Sequence, residues 1–340
     1  MAAVHRRRYG DILMKVRTVP VQPHCFYFGG FDIQMHRTLD LMRSQGIDAR
    51  PLDFWSRDID FDAIHCWGLA SVHYDLVRSA KCYGKKVIIS ALIPYMSMRA
   101  RIRHIGGMIQ GRRRLLMEML DHTDRLFVHN ELQVDTAVRL FGMKSEKIEI
   151  IPAILDPNLY DQTPVSPIDD LRNYIACIGN IWPRKNQLRL AQAARRVECP
   201  MIFCGDLMGG EEAYTGEFMR LIDKTPYFRW YRWVNEADLR RVLFNSVGVA
   251  LPSFEETQPM AALEGTAMGK PILLGNRAYA TQKYYKGAYL AKPSSVSSIA
   301  DGLASIVSKP SQYVPPRDYI MDCHPDRIAR RFRTIFDTLS

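Results

Sequence analysis

The sequence lacks the features that mark several classes of protein. Its seven cysteines are scattered, are never spaced as C-x-x-C, and do not combine with histidine at zinc-site spacing. We therefore expect reduced, mostly buried thiols, a cytoplasmic location and no bound metal. No apolar run approaches the roughly 20 residues of a membrane-spanning helix. No apolar segment follows the basic N-terminus, so we expect no signal peptide.

Composition and length indicate an ordinary globular chain with two cores. The 340 residues are 47% hydrophobic and 24% charged, which excludes a disordered or collagen-like chain. Single cores usually stop growing near about 250–300 residues, so the length favours two domains. The formal net charge of +10 is shared evenly, because residues 1–168 and 169–340 each hold 23 basic and 18 acidic side chains. This even distribution disfavours a dedicated nucleic-acid-binding domain.

Short apolar runs alternate with helical patterns, an order typical of parallel α/β sheets. Strands are predicted first at 14–21, 63–67, 86–90, 125–128 and 147–151, and then at 173–178, 200–204, 228–234, 247–251 and 271–274. The Pro- and Asp-rich segment 161–170 between the two sets predicts a linker. The predicted fold is α/β, with two Rossmann-like domains at 1–165 and 170–318 that face each other across a ligand cleft.

The end of the chain predicts an amphipathic helix. Pro325 suits a first helical position. Five apolar side chains then fall on one helical stripe: Ile328, Phe332, Ile335, Phe336 and Leu339. Such a stripe is buried against a core.

The segment 252–264 follows a buried strand and opens a helix near Pro259. Backbone N–H groups at such a helix start bind phosphate. Glu256 lies in the preceding loop and Glu264 inside the helix, so each carboxylate could accept hydrogen bonds from a vicinal diol on either side of a bound pyrophosphate. The alternative is a surface glutamate and a solvated helix glutamate.

The segment 177–186 ends a strand at Gly179 and presents Arg184 and Lys185 at the start of the next helix. Cations at this place could neutralise a diphosphate leaving group. An ordinary solvated basic turn is the alternative. The order and spacing of the two segments favour one shared site.

Together these residues resemble the retaining family-4 glycosyltransferases of the GT-B fold. That family has a Gly-Arg-(loop)-Lys-Gly turn, then a Pro-Ser-x-x-Glu-x7-Glu helix that ends in Gly-Lys/x-Pro. The matching residues are Gly179, Lys185, Pro252, Ser253, Glu256, Glu264, Gly269 and Pro271. The likeness covers residues 173–291 and is looser at Gly29-Gly30 and at 152–156. The helix at about 320–340 resembles the one that crosses back to the first domain in this family.

The resemblance implies a role for each matching residue. Lys185 would contact the donor phosphates and the charge that develops on the leaving group, and Glu256 would bind hydroxyls of the donor sugar. These two are the expected catalytic residues, and Glu264 would accept from the ribose diol. The other expected donor-binding residues are Gly29, Gly30, Gly179, Asn180, Arg184, Thr257, Gln258 and Met260, the last three through backbone N–H groups.

Three departures from the family pattern affect the expected site. Asn180 stands where the family has the partner arginine of the phosphate clamp, and Arg184 is the candidate to compensate. Asn186 replaces a glycine. The family histidine is missing after the strand at 86–90; His65 is the nearest candidate, but a histidine within a strand is more often structural.

Three further features lie near the expected binding regions. Arg232 falls near a glycine that the family has beside the nucleobase. The aromatic residues at 227–233 are expected to pack in the core, with base stacking as the alternative.

Six arginines without an intervening acid form what we call the arginine cluster: Arg99, Arg101, Arg103, Arg112, Arg113 and Arg114. This cluster is expected to contact anionic lipid or an acidic acceptor, with a solvated face as the alternative.

The expected activity is metal-independent transfer of a sugar from a nucleoside diphosphate sugar to a hydroxyl acceptor, with retention at the anomeric carbon and no cofactor. Expected acceptors are saccharides, lipid-linked saccharides and surface polysaccharides. The expected location is cytoplasmic, with a peripheral position on the inner face of the membrane as a variant. Nucleic acid is not an expected partner. The alternatives are a GT-B nucleotide-sugar epimerase and a non-catalytic basic protein that binds polyanions or membranes.

Overall fold

The computed structural model describes residues 14–26, 29–93 and 111–339, with side chains from residue 114 onward in the last range. The chain divides into two compact units. The first comprises Met1–Ile154 with Pro325–Ser340, and the second comprises Leu155–His324. No helix in the described ranges is long and apolar enough to cross a membrane.

The described part of the first unit forms a six-stranded parallel sheet in the order β2-β1-β3-β4-β5-β6. Its strands are β1 (Met14–Pro20), β2 (Ile47–Pro51), β3 (Ala63–Trp67), β4 (Lys86–Ser90), β5 (Arg125–Val128) and β6 (Ile148–Ile150). Its connecting helices are α1 (Gly30–Ser44), α2 (Tyr74–Cys82), α3 (Gly111–Asp121) and α4 (Glu131–Phe141).

Both faces of this sheet are covered, as the apolar strands of a parallel sheet require. Successive side chains of a strand point to opposite faces. Ile88 of β4 therefore packs in one core cluster with residues of α1. Its neighbours Val87 and Ile89 pack in the other cluster with Val77 of α2 and with residues of α4.

The C-terminal helix α11 (Pro325–Leu339) belongs to the first unit, although the chain that precedes it belongs to the second. All five residues of its predicted apolar stripe are buried in the cluster that also holds α1. The ring of Phe332 lies 5.9 Å from that of Phe127 in β5. The expected return of this helix to the first domain is therefore confirmed.

The described part of the second unit forms a six-stranded parallel sheet in the order β12-β11-β10-β7-β8-β9. Its strands are β7 (Ile175–Ile178), β8 (Met201–Cys204), β9 (Phe228–Tyr231), β10 (Gly248–Leu251), β11 (Ile272–Gly275) and β12 (Tyr289–Ala291). Its helices are α5 (Gln187–Arg196), α6 (Glu212–Asp223), α7 (Glu236–Asn245), α8 (Met260–Ala267), α9 (Val296–Ser308) and α10 (Arg317–Ile320).

The predicted linker at 161–170 lies inside the second unit, and the observed division falls earlier, between Ile154 and Leu155. Side chains of α7 hold this segment. Arg240, Arg241 and Asn245 donate hydrogen bonds to main-chain oxygens of residues Asn158, Thr163, Val165, Ser166 and Pro167. The proline-rich segment thus satisfies its carbonyl groups on α7, which accounts for its place in the unit.

The sequence pattern located most strands to within two residues but missed β2 and β12. Each of them is the outermost strand at one edge of its sheet. An edge strand has one strand neighbour, and these two are short and partly exposed. Neither therefore produces the continuous apolar run by which the inner strands were recognised.

Phe332→Ala should lower the free energy of unfolding of the first unit by about 3–5 kcal/mol, because it removes a fully buried ring from the cluster that α11 shares with the sheet. Arg333→Ala, at the exposed neighbouring position, is the matched control. Urea unfolding followed by circular dichroism measures both. A loss below about 1 kcal/mol for Phe332→Ala would mean that α11 does not contribute to this core.

Candidate functional site

The second sheet has a point at which the direction of strand addition reverses. From β7 the chain adds β8 and β9 on one side, and then returns to add β10, β11 and β12 on the other. Ligands of open α/β sheets bind at such a point, outside the carboxyl ends of the strands. Lys185 lies in the connection that follows β7, and Glu256 in the connection that follows β10. The two expected catalytic residues therefore come from the two strands that flank the reversal.

The structure brings these two side chains into direct contact. Lys185 Nζ lies 2.6 Å from Glu256 Oε1, and the two side chains are 18% and 6% exposed. Ser253 Oγ lies 3.2 Å from the same carboxylate oxygen and donates to it. Arg184 Nη1 lies 3.9 Å from the other oxygen, Oε2. One carboxylate thus faces two cations, which leaves one positive charge in excess.

Arg184 is directed to this carboxylate by its neighbours. It lies in the 3-10 turn Pro183–Lys185. Its guanidinium stacks on the Trp182 ring at 4.6 Å and donates a 3.2 Å hydrogen bond to the main-chain oxygen of Glu255. Stacking and a donated hydrogen bond together limit the rotamers that the side chain can adopt.

The Asn180 side chain bonds to the loop that follows β8. Its Oδ1 accepts a long hydrogen bond of 3.4 Å from the N–H of Asp206, after β8. Its main-chain oxygen accepts from Gln187 Nε2 at 2.8 Å. Asn180 is neutral and bonds to this other loop, whereas Arg184, the candidate to compensate for the missing arginine, faces Glu256.

Asn186 joins the two loops that carry the ion pair. Its backbone is left-handed, with φ 66° and ψ 26°, a region in which glycine and asparagine are the tolerated residues. Its Nδ2 donates to the main-chain oxygens of Pro252, at 2.9 Å, and Pro293, at 2.8 Å. A glycine would supply the same backbone without these bonds. The departure from the family pattern is thus a structural clamp, which the sequence reasoning missed.

Two glycines at this edge of the sheet meet different constraints: the backbone of Gly179 has a φ that side chains rarely adopt, and Gly275 allows a close approach of backbone. Gly179 has φ +144°, and a Cβ there would lie 3.5 Å from Lys185 Nζ. A Cβ on Gly275, at the end of β11, would lie 2.4 Å from the main-chain oxygen of Ser253. The hydroxyl of Tyr279 lies 3.1 Å from that oxygen and accepts from the Gly275 N–H. Sequence reasoning identified Gly179 but neither Gly275 nor Tyr279, because their role depends on a neighbouring strand.

The start of α8 is held in place from outside the helix. Met260 is its first residue and Pro259 its N-cap. The main-chain oxygen of Thr257 accepts from Gln282 Nε2 at 3.1 Å. Gln258 and Glu264 lie in the same stretch and are 9% and 6% exposed. Thr257, Gln258 and Met260 therefore lie at one helix start, directly after Glu256 in the chain, and Glu264 lies about one turn into the helix.

Gly29 and Gly30 belong to the first unit. Gly29 is the N-cap of α1, with extended backbone, and its N–H donates to Asp32 Oδ2 at 2.8 Å. Gly30 is the first residue of α1. Their expected contact with the donor phosphates stays a prediction.

His65 is a core residue. It is fully buried in β3, its Nε2 lies 2.7 Å from Ser90 Oγ, and burial lowers its pKa to about 3. The ring is therefore neutral at ordinary pH, and it packs edge-on against Trp67 and Phe127. His129 follows β5, and sequence reasoning considered it only as a metal ligand, which its seven-residue spacing from His122 disfavoured. Its Nδ1 lies 2.9 Å from the Ile151 oxygen, and burial lowers its pKa as well.

The aromatic residues near β9 differ in their environments. Phe228 is buried, Trp230 Nε1 donates to the Gly205 oxygen at 2.9 Å, and the Tyr231 hydroxyl donates to Asp169. Trp233 is 82% exposed, so the expectation that it packs in the core is wrong. It lies two residues beyond the end of β9. Arg232 Nε lies 2.8 Å from Asp206 Oδ1 on the surface.

Most of the arginine cluster lies outside the described side chains. Arg99, Arg101 and Arg103 are beyond the described residues, and Arg112 and Arg113 are described only as backbone of α3. The Arg114 side chain is 82% exposed and pairs with Glu118 at 2.9 Å. The expected contact of the cluster with lipid or acceptor stays a prediction. In residues 14–26, 29–93 and 111–339, no three His, Cys, Asp or Glu side chains group as a metal site would require.

Residues 161–320 match the family model described as Glycosyl transferases group 1. The chain is similar to D-inositol 3-phosphate glycosyltransferase from Mycobacterium sp. (strain JLS), with 25% identity over 166 residues, which are 46% of this chain and 38% of the relative. The chain therefore spans well under half the length of the curated relative that it matches.

The fold is similar to that of solved glycosyltransferases. A glycosyltransferase from Rickettsia africae ESF-5 has a TM-score of 0.68 at 14% identity, and the match covers 97% of this chain and 99% of that one. The pneumococcal O-GlcNAc transferase GtfA, solved in complex with UDP and GlcNAc, has a TM-score of 0.58 at 12% identity, with 81% and 57% covered. These likenesses, with the two parallel sheets, show the GT-B fold that the sequence predicted.

His65→Gln should reduce the acid sensitivity of the first unit. The unfolded chain titrates this histidine near pH 6.5 and the folded chain near pH 3, so the unfolded state binds one more proton between about pH 4 and pH 6. The wild-type free energy of unfolding therefore decreases as the pH falls, by up to about 1.4 kcal/mol per pH unit from this histidine. The variant should lack this contribution to the pH dependence. Urea unfolding across pH 4–6 measures it, with exposed His122→Gln as the control. Equal slopes for His65→Gln and wild type would contradict a neutral buried His65.

Asn186→Ala should destabilise the second unit by about 2–4 kcal/mol, because it leaves two buried carbonyl groups without a donor and places a Cβ in left-handed backbone. Asn186→Gly should cost about 1 kcal/mol less, since only the hydrogen bonds are lost. Exposed Asn276→Ala is the control, and thermal unfolding gives the order of stabilities. Equal stability of the Ala and Gly variants would argue against backbone strain as a constraint at this position.

Proposed function

We propose that this chain, whose residues 161–320 match the model of the group 1 glycosyltransferases, transfers a sugar from a nucleoside diphosphate sugar to a hydroxyl acceptor with retention at the anomeric carbon. The observation that carries the proposal is the Lys185–Glu256 contact, at 2.6 Å, at the point of strand reversal beside the start of α8. Cations, a helix start and a buried carboxylate are gathered there, and each has a counterpart in a nucleotide sugar.

The first counterpart is the diphosphate. Lys185 and Arg184 supply two positive charges, and the N-terminus of α8 adds N–H groups that no residue of the helix itself can accept. Charge develops on the diphosphate when the bond to the sugar breaks. Groups that are already oriented toward that charge stabilise the transition state without reorganisation. In this proposal, Lys185 contacts the leaving group and Arg184 supports it.

The second counterpart is the set of sugar hydroxyls. An ionised carboxylate is an acceptor only, so Glu256 suits hydroxyls of the donor sugar and Glu264 suits the ribose diol. Together they would fix the orientation of the donor on either side of its phosphates. The acceptor hydroxyl would then attack from the face that the leaving group vacates, with its proton passing to the departing phosphate oxygen. Such a route gives retention and needs no carboxylate nucleophile and no metal.

The proposed acceptor is a saccharide or a lipid-linked saccharide. The relative described above is named for a glycosyltransferase of D-inositol 3-phosphate, and GtfA was solved with GlcNAc and UDP. The arginine cluster would bind an acidic acceptor or an anionic membrane surface, and the proposed location is the cytoplasm or the inner face of a membrane. Arginine suits both tasks because its planar fork matches phosphate and carboxylate groups.

A thermal-shift panel of UDP, GDP, ADP, CMP and TDP tests the proposal, first with EDTA and then with magnesium. One diphosphate at about 100 times its Kd should add about 2.7 kcal/mol of stability, which corresponds to roughly 5–10 °C for a unit of this size. The shift should be present in EDTA. Lys185→Ala should reduce it strongly, whereas Lys286→Ala, at an exposed position of the same unit, should not.

The outcomes separate the proposal from its alternatives. A flat panel, or a shift that Lys185→Ala leaves unchanged, would contradict the proposed site. A shift that appears only with magnesium would contradict metal independence. Conversion of a nucleotide sugar in the absence of any acceptor would indicate an epimerase. Binding that follows polyanion charge alone and disappears with salt would indicate a non-catalytic polyanion-binding protein.

A further inference from the structure

We propose that Glu256 also competes with the donor diphosphate for Lys185 and Arg184, so that the site favours nucleotides that carry a sugar over the free nucleoside diphosphate. This inference rests on the proposed function, because it concerns the same cations and the same donor. It assigns Glu256 a second role, as the residue that determines this preference and promotes release of the nucleotide product.

The contacts of the carboxylate are those of a bound anion. Both of its oxygens face cations, Oε1 at 2.6 Å from Lys185 Nζ and Oε2 at 3.9 Å from Arg184 Nη1. Ser253 Oγ donates to Oε1 at 3.2 Å. The Glu256 side chain is 6% exposed, so little of it is open to bulk water. A phosphate oxygen that used Lys185 would share the ammonium group with this carboxylate or displace it, and in either case the two anions compete for the same charge.

Displacement has an electrostatic cost. Diphosphate and carboxylate are both anions, and they would compete for an ammonium group and a guanidinium group in a partly buried site. Like charges repel more strongly there than in water. A buried carboxylate that loses its cation is left as an unpaired charge. Its loss of stabilisation is larger than that caused by breaking an ion pair on the surface.

The donor sugar can offset this cost and the free nucleotide cannot. Hydroxyl groups of a sugar placed beside Glu256 would donate to the displaced carboxylate and restore its hydrogen bonds. A free nucleoside diphosphate lacks the transferred sugar and therefore has no hydroxyl group to donate a hydrogen bond to Glu256. After transfer, the carboxylate would therefore return to Lys185 and favour dissociation of the nucleoside diphosphate.

Glu256→Gln tests the inference, since glutamine keeps the size of the side chain and removes its charge. Titration calorimetry in EDTA, with UDP and GDP and with UDP-glucose and GDP-mannose, gives the affinities. We expect the variant to bind the free diphosphate roughly tenfold more tightly than wild type, the low end of measured couplings between close charge pairs. The preference for the sugar-bearing form should fall, and so should turnover. Glu255→Gln makes the same charge change at the exposed neighbouring residue, and we expect affinities within about twofold of wild type.

Ser253→Ala provides a second, milder variant in case Glu256→Gln folds poorly. It removes the hydroxyl that donates to Oε1, and the free diphosphate should bind about threefold more tightly. If a diphosphate binds wild type and Lys185→Ala weakens it, but neither Glu256→Gln nor Ser253→Ala binds it more tightly, the inference is overturned and the proposed function stands. If no diphosphate binds wild type or any variant, both are overturned. Tight binding by Glu256→Gln alone would support the inference directly.

Discussion

A lysine ammonium and a glutamate carboxylate that are both largely removed from water must stay close to each other, since a buried charge without a partner is costly. The contact of Lys185 with Glu256 imposes this constraint on the carboxyl edge of the second sheet. The loops after β7 and β10 have to approach closely to make it. Several residues that carry no charge are explained by that approach.

Asn186 and Gly275 show how the approach is achieved. Asn186 adopts a left-handed backbone and donates to the oxygens of two other loops. Gly275 has no side chain where a Cβ would collide with the Ser253 oxygen. Tyr279 is buried beside them, and its burial raises the pKa of its hydroxyl, which therefore stays protonated. The geometry of the ion pair thus depends on neutral residues as much as on the ions themselves.

Sequence patterns predicted the fold well because its main signals are local. Inner strands of parallel sheets are short apolar runs, and the stripe of α11 repeats at helical spacing. Patterns failed where the environment decides. The edge strands β2 and β12 lack a continuous apolar run. The proline-rich segment 161–170 has the composition of a linker, but Arg240 and Arg241 donate hydrogen bonds to its carbonyl groups and hold it in the second unit. Trp233 looked like core because its neighbours are aromatic, yet it lies past the end of its strand.

The sequence by itself determined the α/β class, the GT-B architecture and the segments that carry the candidate site, because residue type, order and spacing are properties of the chain. The tertiary structure alone decided which of those residues meet. It directed Arg184 rather than Asn180 toward Glu256, and it placed Asn186 between two loops that are far apart in sequence. It also made His65 a buried neutral ring. The physical reason is that contact, burial and local charge arise from residues brought together across strands, which no local pattern contains.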